Sequence, residues 1–502
     1  MSGITGGSEP SPGSDPAEAR CLVAGHWRTS GERTERIGPY ARRIVSVAHL
    51  ADRAMVDEAL AYAHRSRAAI ERVSPAARAA VLERAADLVD AQRDEFARLL
   101  ALELGKPVKD GRGEMVRVAD TLRVSAAEAR RIGGEVLPTA GWQRGAGTTA
   151  MTYRAPVGVV VAITPFNAPA NLLAHKLAAS FAAGNPTIVK PPPQAPAVSD
   201  RFVEVLLDAG MPAEAVQVMH GGAEVGSRLC ASPVVSAVSF TGSAAAGAAV
   251  ARAAGPKRLV LELGGNAATV VCEDADIEAA AAMSAATGFS NSGQSCISVQ
   301  RIYVHTSVFD RFAAALTTAA GRLRVGDPLD QATDVGSMVD DEAASRVEKW
   351  ITEAAAGGAT VRCGGTRDGA TLAPTVVSEP DPGSALVLEE AFGAVVAVLR
   401  YDSFDEVLEV CNQSRFGLQA GLFTRDLARV FQAWRRLEVG GLVVNGTSNF
   451  RLDHVPFGGV KDSGFGRESP RWMIEDYTVT KTLILRNTSL WGDQPPSGGW
   501  PA

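Results

Sequence analysis

Between residues 155 and 265 the chain repeats one arrangement: a short, almost continuously apolar run, then a helical stretch, then another such run. The runs are PVGVVVAI, NPTIVKP, AVQVMHG, VSAVSFTGS and RLVLELGG. An apolar run without alternation suits a strand covered on both faces, as parallel strands are when they lie between two helical layers. Helices predicted at 172–183 and 199–209 separate the first three runs. The pattern predicts a doubly wound α/β unit. A second α/β stretch runs from about 266 to 443, with no internal repeat and no coiled-coil heptad.

Ahead of this unit the period is helical. Ser74 can cap a helix with Pro75 at its first position, and Val81, Leu82, Ala85, Leu88 and Val89 mark one apolar face. Gly105 and Pro107 stop the helical run, and another helix is predicted at about 113–131. Residues 1–19 and 493–502 read as disordered tails, the first without the apolar core of a signal peptide.

The 502 residues leave ample room for a large core, and 46% hydrophobic with 21% charged residues excludes wholesale disorder. A formal charge of −6 excludes the basic footprint of a nucleic-acid or anionic-membrane binder. No apolar run approaches the roughly 18 residues of a membrane span. The six cysteines (21, 230, 272, 296, 363 and 411) form no CxxC pair and are too sparse for a disulfide scaffold. The expectation is a cytoplasmic chain with no metal site and no nucleic-acid or membrane partner.

Two segments carry chemistry. FSNSGQSC ends at Cys296, and its small residues leave a thiol accessible while the turn can aim backbone N–H groups at an oxyanion. The alternative is a packed core cysteine. LELGG places Glu262 at the end of an apolar strand, where desolvation raises a carboxyl toward the range of a general base. Its alternative is a structural carboxylate at a helix start. FTGSAAAG is a Gly-rich strand-to-helix turn without the usual GxGxxG spacing, so alone it indicates a nucleotide only weakly.

With Glu262 standing 34 residues before Cys296, the chain resembles the aldehyde dehydrogenase superfamily from about residue 20 to 490. ELGKP, PVGVVVAITPFNAP, AAGNPTIVKP, SFTGS, GDPLD, EEAFGAVV, VNGTSN and PFGGVKDSGFGRE follow in the family's order. The resemblance implies NAD(P)-dependent oxidation of an aldehyde to an acid through a thiohemiacetal and a thioester. It implies Cys296 as nucleophile, Glu262 as base, Asn167 as oxyanion donor, and Lys176 as the lysine nine residues beyond that asparagine. For NAD or NADP it implies Thr164, Pro165, Phe166, Lys190, Gly242, Ser243, Gly247, Gly264, Glu390 and Phe392. Phe166 stands where the family more often has Trp. Pro193, in KPPPQ, stands where the family commonly has a glutamate for the adenine-ribose hydroxyls, which leaves NADP open.

The aldehyde itself is the least specified part. Arg117, Arg123, Arg301 and Arg451 are candidates for an anionic group, against the reading that they are surface or interdomain arginines. A small polar or anionic aldehyde is expected: lactaldehyde, glyceraldehyde 3-phosphate, succinate semialdehyde or a phosphono-aldehyde. Two alternatives stand beside it. One is a CoA-acylating enzyme, a branch that typically lacks the LELGG glutamate; the other is a catalytically silent structural or binding homologue. The implied architecture is a Rossmann-like cofactor domain (20–132 and 155–265), an α/β catalytic domain (266–470) and a small β oligomerisation arm (133–154 and 471–492). TVTKTLIL alternates as a strand that can extend a neighbour's sheet, consistent with a homodimer or homotetramer.

Overall fold

The five apolar runs form the strands Val159–Ile163, Thr187–Lys190, Val216–Val218, Val235–Thr241 and Arg258–Glu262 of one sheet. They are mutually parallel, and their spatial order is fifth, fourth, first, second, third. The computed structural model from which this is read describes residues 15–145 and 147–486. Every residue of Val159–Ile163 is buried, because helices cover both faces of the sheet. Cys21–Val23 and His26–Arg28 extend one edge, and Gly464–Phe465 returns from far along the chain to pair antiparallel with Arg258–Glu262 at the other.

On one face lies Pro169–Ala183, a helix buried along its whole length, with Pro75–Ala91 and Val108–Ala129 packed outside it. The predicted cap is present: the Ser74 hydroxyl accepts the Ala77 N–H, and Pro75 opens the helix. Gly105 ends Arg93–Leu104 in the left-handed conformation. The helix predicted at 113–131 starts earlier, at Val108, immediately after Pro107.

The second α/β stretch forms a seven-stranded sheet with its own core. Its parallel strands are Thr375–Ser378, Val395–Tyr401, Arg301–His305, Ala268–Val271, Gln419–Phe423 and Gly441–Val444 in spatial order. Thr360–Cys363 joins one edge antiparallel, and Gly441–Val444 is the other edge. A third, three-stranded sheet pairs Thr478–Arg486 with Thr148–Pro156 and the short Val136–Leu137.

Three boundaries differ from the sequence reading. Ala17–Ala19 is a strand paired parallel to Ile44–His49, so the predicted N-terminal tail does not extend to residue 19. A three-residue strand leaves no periodic trace in sequence. Pro470–Asp476, assigned mostly to the arm, is a helix whose Met473 and Ile474 pack into the first domain's core. Gly464–Phe465, assigned to the catalytic domain, supplies the first sheet's edge strand. The remaining tail positions, 1–14 and 493–502, lie outside the described residues.

Candidate active site

In a doubly wound sheet the chain leaves neighbouring strands in opposite directions where the strand order reverses, and a crevice opens beyond their carboxyl ends. Here the reversal falls between Val159–Ile163 and Val235–Thr241. A cavity of about 550 Å³ lies there. Thr164, Pro165, Phe166 and Asn167 line it after Val159–Ile163, Lys190, Pro193 and Gln194 at and beyond the end of Thr187–Lys190, and Gly242 and Ser243 after Val235–Thr241. Glu262, Gly264, Cys296, Glu390 and Phe392 close its inner end. A second, more open cleft of about 770 Å³ shares Ser243, Leu263, Arg346 and Glu390 with it.

Cys296 is half-buried at the end of a tightly held turn. Asn291 and Ser292 adopt positive φ of 50° and 55°, a conformation costly for non-glycine residues. Asp110 holds the turn by accepting the Asn291 N–H at 2.8 Å, and the Ser292 hydroxyl donates to the Gly336 carbonyl at 3.1 Å. A Cβ on Gly265 would run into the Cys296 carbonyl oxygen, which is why the LELGG strand can end beside the thiol. Among the described residues the Cys296 N–H has no acceptor, so it is available to an oxyanion. Burial, followed by the negative charges of Glu390 and Glu262, pushes the thiol up to about 12.

Asn167 faces the same cavity, its backbone carbonyl fixed by Lys106 Nζ at 2.6 Å and Asn291 Nδ2 at 3.1 Å. Lys106 is in turn paired with buried Glu114, which accepts the N–H groups of Ala170 and Asn171 at the start of Pro169–Ala183. Glu262 is 2% exposed, and neither carboxyl oxygen has a hydrogen-bond partner among the described residues. Burial and the nearby Glu468 carboxylate hold its carboxyl well above the usual range. A buried acid without partners is kept ready to exchange a proton.

Lys176 lies beneath the floor rather than in it. Its ammonium donates to Ser239 Oγ, Thr241 Oγ1 and Glu468 Oε1 at 3.1, 2.7 and 2.7 Å.

The outer cavity fits a dinucleotide. Ser243 caps the eleven-residue helix Ala244–Ala254, whose N-terminus with Gly242 faces the cavity and suits a pyrophosphate. Thr164 Oγ1 is buried without a hydrogen-bond partner among the described residues. Among the described residues Lys190 Nζ bonds only the Pro191 carbonyl, and burial lowers its ammonium to about 8. Glu390 accepts the Gly265 N–H at 2.8 Å, and a Cβ on Gly264 would meet its carboxylate at 2.5 Å. Phe392 meets Phe166 edge to face at 5.7 Å. Gly247 does not face the cavity; it lets its helix close on Leu263.

The four arginines separate. Arg451 lines the cavity near Cys296, and Arg117 lies behind it, joined through Asp453. Arg123 is occupied by Asp87 and Asp90 on the helical surface. Arg301 is buried in the second domain, donating to the Asn266 carbonyl and the Tyr303 hydroxyl. Neither Arg123 nor Arg301 reaches the cavity. Sequence reading missed Arg346, Phe457 and Glu468, which line it. Glu468 was within reach, since it ends the quoted PFGGVKDSGFGRE segment; Arg346 lies on a helix with no motif.

A dinucleotide crevice closed at its inner end by a cysteine and a buried carboxyl is the mark of a nicotinamide-dependent oxidoreductase. The model of the aldehyde dehydrogenase family matches residues 27–483. A 3-sulfolactaldehyde dehydrogenase of Priestia aryabhattai is 43% identical over 464 residues, covering 92% of this chain and 97% of that protein. The crystal structure of aldehyde dehydrogenase 21 from Physcomitrella patens, in complex with the reaction product succinate, superposes with a TM-score of 0.92 at 33% identity, covering 95% of this chain and all of that one. An NADP-dependent glyceraldehyde-3-phosphate dehydrogenase from Bacillus halodurans, complexed with NADP, gives 0.91 at 32% identity over 94% of this chain and all of that one. The chain belongs to the aldehyde dehydrogenase family, whose members oxidise aldehydes with NAD or NADP. No helix among the described residues is long and apolar enough to cross a membrane.

Proposed function

We propose that this enzyme oxidises a small polar or anionic aldehyde to the carboxylic acid, with Cys296 as nucleophile and Glu262 as general base. The Cys296 sulfur attacks the aldehyde carbon as its proton leaves toward Glu262, and the oxygen gains negative charge between the Asn167 amide and the Cys296 N–H. Bound against Lys190, Ser243, Glu390 and Phe392, NAD or NADP supplies the hydride acceptor. After handing the thiol proton on to solvent, Glu262 takes a proton from the water that hydrolyses the Cys296 thioester. Lys176 acts from below, keeping Glu468 ionised and in place next to Glu262.

The observation that carries this reading is the unpartnered carboxyl of Glu262 facing the same cavity as the thiol. It also favours hydrolysis over transfer of the acyl group to CoA, since a base for water is present. The relatives named for sulfolactaldehyde, sulfoacetaldehyde and lactaldehyde support a short polar substrate. The composition and the family support a cytoplasmic homodimer or homotetramer. The test is Glu262→Gln in single turnover. One equivalent of NAD(P)H per site should form in a burst, followed by slow turnover as the thioester accumulates. Steady turnover at the parent rate would remove Glu262 from deacylation. Cys296→Ser should lose oxidation and still bind cofactor within a few-fold.

A further inference from the structure

The two donors of the oxyanion site come from different sheets. The Asn167 amide follows Val159–Ile163 of the first sheet, and the Cys296 N–H belongs to the turn that leads into Arg301–His305 of the second. Their separation matters, because a misplacement of about 1 Å can cost a reaction about a hundredfold in rate. Among the described residues the Asn167 side chain makes no hydrogen bond, so the main chain carries the aim of the amide.

The Asn167 carbonyl is a junction. Asn291 Nδ2 donates to it at 3.1 Å from the nucleophile turn, and Lys106 Nζ donates at 2.6 Å from the helical layer. Asn291 therefore bonds one half of the oxyanion site directly to the other.

Asn291 is itself held from several sides. Its N–H donates to Asp110 Oδ2 at 2.8 Å, Nδ2 also donates to the Gln294 carbonyl at 3.2 Å, and its own carbonyl accepts Gln294 Nε2 at 3.3 Å. Gln294 is buried, and its Oε1 accepts the Val339 N–H at 2.8 Å. Asp110 and Glu114 stand four residues apart on one face of Val108–Ala129, with Lys106 just ahead of it. That face grips the nucleophile turn through Asp110 and the Asn167 loop through Lys106 and Glu114.

The backbone accounts for the residue type. At φ 50° most side chains are strained, and glycine and asparagine tolerate the region best. Of those two, only asparagine brings a donor for the Asn167 carbonyl.

We propose that Asn291 is a positioning residue for the oxyanion site, its amide setting the Asn167 amide against the Cys296 N–H across the two sheets. The inference rests on the aldehyde-oxidising function proposed above and adds a residue to its first step. The competing role is narrower: Asn291 would only brace the thiol's own turn through the Gln294 carbonyl.

Asn291→Gly separates the two roles, since it keeps the positive φ and the N–H to Asp110 and removes only the amide. With sulfoacetaldehyde and lactaldehyde as probes, the single-turnover rate of NAD(P)H formation should fall by about ten- to a hundredfold. In an Asn167→Ala background the same change should cost less than about twofold, because the amide to be positioned is gone. Alkylation of Cys296 by iodoacetamide builds up no oxyanion; followed by peptide mass spectrometry, its rate should stay within about twofold of the parent. Alkylation that falls in step with NAD(P)H formation, or equal losses in both backgrounds, overturns the proposal in favour of the bracing role. A parent rate in either Asn291→Gly or Asn167→Ala also overturns it. If Asn291→Gly fails to fold, Asn291→Asp carries the same three measurements, because it keeps the size and turns the donor into an acceptor. Each of these failures leaves aldehyde oxidation standing. No NAD(P)H from either aldehyde in the parent, or a parent rate in Cys296→Ser, overturns that function and this inference together.

Discussion

A thiol held up at about 12 is a poor nucleophile at neutral pH until something removes its proton. Glu262 is the carboxyl placed to do so, and burial raises it as well. Both groups must lose protons, so kcat/KM should climb with pH through the neutral range, by up to about tenfold per unit below the apparent pKa of the pair. A pH–rate profile that falls over pH 6–8 would contradict this; Glu262→Gln should flatten the acidic limb. Lys190 lines the same cavity as Pro193, and among the described residues no carboxylate bonds it. NADP should therefore be used within about tenfold of NAD or better, and Pro193→Glu should cost NADP about one to two powers of ten in kcat/KM through charge repulsion. Competition kinetics with the two cofactors measure this directly. That Cys296 and Glu262 meet at one cavity was legible because motif and spacing carry them. Arg123 and Arg301 were not separable from Arg451 in sequence, since an arginine's role depends on partners that only folding brings: Asp87 and Asp90 for one, the Asn266 carbonyl for the other.

At the scale of elements, the buried strands announced themselves because both faces are covered and the apolar run is unbroken. What the sequence conceals is how turns from distant elements interlock. Gly265 ends the LELGG strand against the Cys296 carbonyl, and Gly293, at φ 72°, sits against the Gly393 carbonyl of the Glu390 segment. These two close approaches fasten the Glu262, Cys296 and Glu390 segments to one another, and the motifs are far apart in the chain. Gly265→Ala would drive a methyl group into the Cys296 carbonyl, and overpacking of this kind costs about 1–3 kcal/mol. Most of that strain falls on the nucleophile turn, so activity should drop by about a hundredfold or more while the protein stays folded. Thermal unfolding and steady-state kinetics on one preparation separate the two effects. A variant with parent activity would show that the turn can shift without loss.

For the whole molecule, the decisive feature is that two sheets end in open edges. Thr478–Arg486 is an edge of the arm sheet, with Ile484 60% exposed and Leu483 exposed beside it. Gly441–Val444 is an edge of the catalytic sheet, beside the helix Leu427–Arg436, which presents Leu427, Phe431 and Trp434 to solvent. Open, apolar edges of this kind promote aggregation unless another chain covers them. One chain that carries both can satisfy them reciprocally around a twofold axis, each arm strand extending the other chain's catalytic sheet. That arrangement bears on chemistry too, because Gly441–Val444 runs directly into the segment that carries Arg451 and Asp453. The parent protein should therefore run at two or four chain masses in light scattering behind size exclusion. Ile484→Lys places a charge in the middle of the arm edge and should shift the protein toward a single chain mass at micromolar concentration. Activity should fall with assembly, because the Arg451 segment loses the support of its neighbouring strand. If Ile484→Lys keeps the parent mass, the arm edge is not the contact. If it becomes monomeric with full activity, the edge assembles the protein without supporting the site.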